Sequence, residues 1–212
     1  AAALKEGGVD VLWIETMYSR EETSAAVAGA AATGLPFVTT MSFDTNGKTM
    51  MGISPAEFVA FVHSLNPRPV AYGANCGVGA SDLVATIVKL AEAAAPDDVI
   101  VAKGNCGIPY YEEGKIKYNG TPALMADYAR IVRDAGARIV GGCCGTSPEH
   151  LKAIRGALES HQPGEKPTPE QIVAHLGPLS EGARALLAGE NPAAAPRRGR
   201  RRDRPAPEEA AF

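Results

Sequence analysis

Four cysteines are the residues of this sequence best suited to chemistry. Cys76 and Cys106 each follow a short apolar run, and Cys143 and Cys144 are adjacent within the segment GGCCG. Zn²⁺ prefers thiolate ligands in a tetrahedral shell, and a catalytic zinc site leaves one position open. Cys76, Cys143 and Cys144 could therefore bind one zinc ion and leave a position for a substrate. Tetrahedral zinc would place their sulfurs roughly 3.5–4 Å apart.

The adjacent pair Cys143–Cys144 places a demand on the backbone. Consecutive residues of a strand point to opposite faces, so both thiols reach one metal only where the chain turns. Gly141, Gly142 and Gly145 flank the pair and allow such a turn. A disulfide between neighbouring cysteines would be strained. The N-terminal residues do not resemble a signal peptide, so we expect a cytoplasmic, reducing environment with free or metal-bound thiols.

Two other interpretations of the cysteines remain open at this point. In the first, the chain is a non-catalytic thiol or zinc-binding module, and a fourth protein ligand such as Cys106 closes the site. In the second, the chain is a phosphate-binding (β/α) barrel, and the backbone N–H groups of residues 141–145 hold an anion without a metal. The number of protein ligands and the presence of a metal distinguish the three hypotheses.

The elements that must position these thiols are short strands alternating with amphipathic helices. Such alternation predicts an α/β fold with a parallel sheet covered by helices. In sheets of this kind, sites form at the carboxyl ends of the strands. The predicted strands span residues 9–14, 36–41, 69–73, 99–102 and 137–140. Polar or thiol residues follow all five, namely Glu15-Thr16, Ser42–Asp44, Asn75-Cys76, Asn105-Cys106 and Cys143-Cys144.

Several helix starts and two long connections can also be predicted. Ser19, Ser54 and Thr121 are suited to cap helices, and prolines follow two of them at the first helical position. The segments 42–52 and 108–120 carry many polar and glycine residues, so we predict loops for both.

Composition and charge exclude several classes of protein. The chain has 212 residues, of which 45% are hydrophobic and 21% are charged, as in soluble globular proteins. No apolar run approaches the ~18 residues of a membrane span, so we expect no membrane partner. Residues 197–212 hold six arginines against three acidic residues, although the whole chain has a net charge of −3. A short basic end on an acidic body does not predict nucleic-acid binding.

Four segments resemble a known family. They are GVDVLWIET, GANCG, KGNCGIP and, above all, GGCCGTSPEHL. Together they resemble the homocysteine S-methyltransferase family, which includes betaine–homocysteine methyltransferases and the homocysteine module of cobalamin-dependent methionine synthases. The resemblance covers roughly residues 5–160.

The resemblance implies a fold, a reaction and a set of site residues. The fold is a (β/α)8 TIM-type barrel, and the reaction is zinc-dependent transfer of a methyl group to the thiol of homocysteine, giving methionine. Cys76, Cys143 and Cys144 would bind the zinc. Glu15 would bind the homocysteine ammonium, and Asn105 would lie beside the substrate.

The resemblance also bears on the methyl donor and on the roles of Cys106 and His150. The methyl donor would be betaine, a methyl-corrinoid or S-methylmethionine, and assembly into a homo-oligomer stays open. Cys106 replaces the usual small residue of its motif, so we expect that it is not a ligand. His150 matches the histidine of the last motif, and we expect a structural role at a helix start.

Counting backward from GGCCG as the last barrel strand makes residues 9–14 the fourth strand. We therefore expect only the last five β-α units here, with the N-terminal three missing, and weak or no activity for the isolated chain. The predicted organisation is a partial homocysteine-binding (β/α) barrel over residues 1–162, short helices over 163–190 and a disordered tail over 191–212.

Overall fold

A five-stranded parallel sheet forms the centre of the protein. The computed structural model describes residues 1–190. The sheet has the strand order β1-β2-β3-β4-β7, with every neighbouring pair parallel. Its strands are β1 (Leu12–Met17), β2 (Phe37–Met41), β3 (Ala71–Cys76), β4 (Ile100–Gly104) and β7 (Ile139–Gly142). The remaining strands, β5 (Pro109–Glu112) and β6 (Lys115–Tyr118), form an antiparallel hairpin.

Helices connect the strands of the sheet, as the sequence predicts. They are α1 (Ala2–Glu6), α2 (Arg20–Ala31), α3 (Pro55–Ser64), α4 (Ala80–Ala93), α5 (Pro122–Asp134), α6 (Pro148–Ser160), α7 (Pro169–Leu176) and α8 (Glu181–Ala188). None of the helices in residues 1–190 is long and apolar enough to span a membrane.

Three of the predicted helix starts are confirmed. The side chains of Ser19, Ser54 and Thr121 each accept a hydrogen bond from a backbone N–H of the first turn. At Ser54 the bond is reciprocal, because Glu57 accepts the Ser54 N–H at 2.8 Å. These caps fix where each helix leaves the sheet, and hence the length of each loop at its carboxyl edge.

One face of the sheet is covered by helices. We call the other the open face, because no helix of residues 1–190 packs on it. On the covered face, Tyr72, Ile100 and Ala102 belong to the main core together with residues of α3, α4 and α5. On the opposite face, Val38, Ala71 and Val101 form a smaller apolar cluster. Alternation along each strand therefore sends one set of side chains into the core and leaves the other set on the open face.

The segment 108–120 differs from its prediction as a plain loop. It contains the hairpin of β5 and β6, which residues Glu113 and Gly114 join through a two-residue turn. Both residues have positive φ, 49° and 78°, as a type I′ turn requires. The charged and glycine residues that suggested a loop are the turn and the solvent-facing side chains of this ribbon.

The fold is α/β, and its five parallel strands are consistent with part of a TIM-type barrel. Within residues 1–190 the sheet ends at β1 and β7, so barrel closure stays a prediction. Helices α7 and α8 contribute Ile172, Leu176 and Ala183 to the main core. The division at residue 162 also stays a prediction, and the predicted tail 191–212 lies outside the described residues.

Candidate thiol metal centre

Three cysteine side chains converge at the carboxyl edge of the sheet. The Sγ of Cys76 lies 4.0 Å from that of Cys144, and the sulfurs of Cys143 and Cys144 are 3.9 Å apart. All three sulfurs lie within 4.8 Å of one another, and none forms a disulfide. The two shorter distances match the spacing expected for thiolates around one tetrahedral zinc.

Local backbone turns bring these thiols together. Cys76 ends β3 with a positive φ of 61°, and Gly145, which follows the pair, has a φ of 77°. The Cys143 N–H donates to the carbonyl of Gly104 at 2.8 Å, which extends the β4–β7 pairing to the first cysteine. The chain then turns at Cys144 and Gly145, so the two adjacent thiols do not point to opposite faces as they would in a continuing strand.

Asn105 joins the two cysteine loops. Its Oδ1 accepts the Cys144 N–H at 3.1 Å, and its Nδ2 lies 2.9 Å from the carbonyl of Gly77 and 3.6 Å from the Cys76 sulfur. The residue is only 4% exposed. The predicted substrate contact of Asn105 stays a prediction, whereas its amide already holds both loops in place.

Asn75 supports the cluster from the open face of the sheet. Its Oδ1 accepts the Thr40 hydroxyl at 2.7 Å and the Thr16 N–H at 3.1 Å, while its Nδ2 donates to Thr16 Oγ1 at 2.6 Å. The same Nδ2 lies 3.8 Å from the Cys143 sulfur. A fully buried asparagine thus links β1, β2 and β3 to a thiol on β7's carboxyl side.

The surroundings keep two of the thiols protonated in the absence of a cation. Burial raises the pKa of Cys143 to about 11, and the hydrogen bond from Asn75 only partly opposes this effect. Burial also raises the pKa of Cys76, against the hydrogen bond from Asn105. A bound divalent cation inverts this balance, because a coordinating thiol is deprotonated.

Cys106 is not part of the cluster. Its Sγ is buried and donates to the carbonyl of Gly120 at 3.3 Å, while its N–H donates to the Cys144 carbonyl at 2.9 Å. Within residues 1–190, the group of converging metal-ligand atoms consists of the other three cysteines. His150 caps α6 through Ser147 and approaches the Gly120 carbonyl at 3.3 Å, which is a structural role.

Glu15 lies on the open face, where it forms an ion pair that the motifs did not predict. The Lys103 Nζ lies 2.5 Å from Glu15 Oε1. Lys103 belongs to β4. A lysine in the otherwise apolar strand segment VIVAKG is the sequence feature that could have drawn attention to this residue. Asn75 was equally recognisable as a polar residue in a buried strand.

Tyr118 of the hairpin covers the turn of the adjacent cysteines. A Cβ atom at Gly145 would lie 2.4 Å from the Tyr118 ring, so only glycine fits there without movement. Burial raises the pKa of Tyr118, and the charge and hydrogen bond of Cys144 add to the rise. The hairpin therefore forms one wall of the thiol cluster.

The donor set and spacing fit zinc. Three thiolates are soft ligands, and three protein ligands are the number that leaves the fourth tetrahedral position to a substrate. Cys76, Cys143 and Cys144 are the residues that would hold the ion, and Asn75 and Asn105 would support them through hydrogen bonds to the sulfurs.

Known proteins resemble this chain over most of its length. Methionine synthase from Mycobacterium leprae is 26% identical over 200 residues, which are 91% of this chain and 16% of that protein. Crystal structures of the Escherichia coli homocysteine methyltransferase MmuM, in oxidised and metallated forms, share 25% identity with a TM-score of 0.58. They match 73% of this chain, which spans about half of their length. The homocysteine S-methyltransferase family model matches residues 1–158, so the chain belongs to the homocysteine S-methyltransferase family.

Proposed function

We propose that the chain supplies the zinc and homocysteine site of an enzyme that methylates homocysteine to methionine. The observation that carries this proposal is the convergence of Cys76, Cys143 and Cys144 at the carboxyl edge of the sheet, with sulfurs 3.9 and 4.0 Å apart. The resemblance to methionine synthase and to MmuM supports the same reaction class.

The chemistry divides between the ion and the protein. Zinc bound by these three thiolates would hold the homocysteine sulfur as a thiolate, the nucleophilic form of a thiol. Asn105 and Asn75 fix the thiol loops, so the site is organised before the substrate arrives. Glu15 offers a carboxylate to the substrate ammonium. Positioning of the sulfur for in-line attack on the activated methyl group is then the main task of the protein.

The proposal extends to the architecture of the whole enzyme. We expect three further β-α units beside β1 and β7 to complete a (β/α)8 barrel, because a five-stranded sheet leaves both edges open. Residues 1–162 would form the partial barrel, and residues 163–190 would pack against it as short helices. A cytoplasmic location fits thiols that must stay reduced. The donor would be betaine, a methyl-corrinoid or S-methylmethionine.

A combined test measures zinc, homocysteine binding and methionine formation. The purified chain is loaded with zinc, titrated with homocysteine by calorimetry and assayed with each of the three donors. We expect one zinc per chain and zinc-dependent homocysteine binding, with weak or no methionine formation by the isolated chain from any of the three donors. Cys143→Ala should abolish both zinc and homocysteine binding. Retained binding in that variant, or homocysteine binding without zinc, would contradict the proposal.

The zinc and homocysteine data address the first of the two other hypotheses, and a titration with inorganic phosphate addresses the second. A site closed by a fourth protein ligand would bind zinc without binding homocysteine. A phosphate-binding barrel would bind inorganic phosphate at residues 141–145, and zinc would not be required.

A further inference from the structure

The ion pair on the open face lies beside the thiol cluster. Lys103 Nζ and Glu15 Oε1 are 2.5 Å apart, although their strands, β4 and β1, are separated by two others. Their side chains are 24% and 30% exposed, so a small polar ligand can reach both charges.

Two contacts fix the path of the lysine across the sheet. The Lys103 ammonium lies 5.3 Å from the centre of the Trp13 ring, within the range of a cation–π interaction. At its other end, the Lys103 Cγ would be 3.4 Å from a Cβ at Gly141, so the stem lies over that glycine. The aliphatic stem thus lies against Gly141, and the ammonium contacts Trp13 and Glu15 of β1.

The pair lies at a suitable distance from the thiols. Lys103 pairs in register with Gly141 of β7, and Cys143 follows Gly141 by two residues, directly after the strand. At about 3.3 Å per residue, the backbone of Lys103 lies ~6–7 Å along the strand direction from that of Cys143. In homocysteine an ethylene unit separates the sulfur from the carbon that bears the ammonium and carboxylate. A homocysteine with its sulfur at the cluster therefore points its charged groups along the sheet face that carries Lys103 and Glu15.

We infer that Lys103 determines substrate specificity by binding the α-carboxylate of the thiol substrate, an assignment that rests on the proposed function. A lysine ammonium has three N–H donors, and the contact with Glu15 uses one of them. Glu15 likewise keeps acceptor capacity for an ammonium group. The oriented pair is complementary to a zwitterion, so it selects an α-amino acid thiol over a thiol that lacks either charge.

The test compares two thiols that differ only in the carboxylate. L-homocysteine and 3-aminopropane-1-thiol are titrated by calorimetry into the zinc-loaded chain, as wild type, Lys103→Met and Lys103→Arg. We expect Lys103→Met to weaken homocysteine binding about 10- to 100-fold, as for the loss of a hydrogen bond between charged groups. Binding of 3-aminopropane-1-thiol should not weaken, and Lys103→Arg should restore most of the homocysteine affinity.

The outcomes separate this inference from the proposed function. Equal weakening of both thiols in Lys103→Met, or no weakening of either, would overturn the assignment while leaving the proposed function intact. If the zinc-loaded wild type binds no homocysteine, the proposed function fails and the assignment fails with it. Zinc content is measured for each variant, and we expect one ion per chain throughout, because Lys103 is not a ligand.

Discussion

Replacing Asn105 with alanine should weaken zinc binding strongly, although Asn105 is not itself a ligand. The substitution removes the acceptor of the Cys144 N–H and the donor to the Gly77 carbonyl and the Cys76 sulfur. Both cysteine loops lose their common support. The adjacent β-strands remain paired through the Cys143 N–H and the Gly104 carbonyl, so the fold should persist.

The expected magnitude follows from the three contacts. Two of them are ordinary hydrogen bonds, at 3.1 and 2.9 Å, in a residue that is 4% exposed. A buried polar group left without its partner costs about 1–3 kcal/mol, so the two groups together should lower the free energy of unfolding by about 2–6 kcal/mol. Loss of hydrogen-bonded support around metal ligands typically lowers metal affinity by about 10–100-fold, and we expect that range for Asn105→Ala.

The assay is zinc competition against a chromophoric chelator, paired with urea unfolding of the metal-free chain. Asn119→Ala is the matched control, because Asn119 Oδ1 accepts the Ile108 N–H at 2.8 Å in the hairpin connection and Asn119 is not among the cluster's hydrogen-bond partners. We expect the control to keep its zinc affinity within about threefold. Equal zinc affinity in Asn105→Ala and wild type would refute the idea that Asn105 organises the site.

Three further predictions concern other residues. Gly145→Ala places a methyl group against the Tyr118 ring at a φ of 77°, so we expect about tenfold weaker zinc binding by the same competition assay; unchanged affinity would contradict the need for this turn. Cys106→Ala should leave zinc stoichiometry at one per chain, measured by metal analysis, and loss of the ion would make Cys106 a ligand. Burial alone would raise the pKa of Asp98, but hydrogen bonds from the Tyr72 hydroxyl and a backbone N–H outweigh burial and lower that pKa. The ionised carboxylate therefore stabilises the fold fully above its unfolded pKa near 4, and this stabilisation is lost as the pH falls. Asp98→Asn should therefore lower the free energy of unfolding by about 1–3 kcal/mol at pH 7 and by much less at pH 3 in urea titrations; a constant difference would count against this explanation.

Much of the fold was predictable because its determinants are local. Ser19, Ser54 and Thr121 mark helix starts through their own hydrogen bonds, and apolar runs mark buried parallel strands. Each strand begins one to three residues later than predicted, and each ends within three residues of the predicted end. The hairpin at 109–118 was missed because its turn depends on positive φ at Glu113, a conformation that residue type alone does not indicate.

The convergence of Cys76, Cys143 and Cys144 was predictable from the sequence, whereas the contacts that support it were not. The cysteines are chemically conspicuous, and the turn that Gly145 permits was expected from composition. The dual contact of Asn105 and the reach of Lys103 to Glu15 join residues that are distant in the sequence, 88 positions apart in the latter case. Contacts of that kind depend on sheet order and curvature, which no local pattern encodes.

X-ray absorption at the zinc edge tests the central claim most directly. For the zinc-loaded chain, we expect three sulfur ligands at about 2.3 Å and one lighter atom. Addition of homocysteine should replace the lighter atom and raise the number of sulfur ligands to four. Four protein ligands before homocysteine is added, or three sulfurs that stay three after saturation, would contradict a catalytic site formed by Cys76, Cys143 and Cys144.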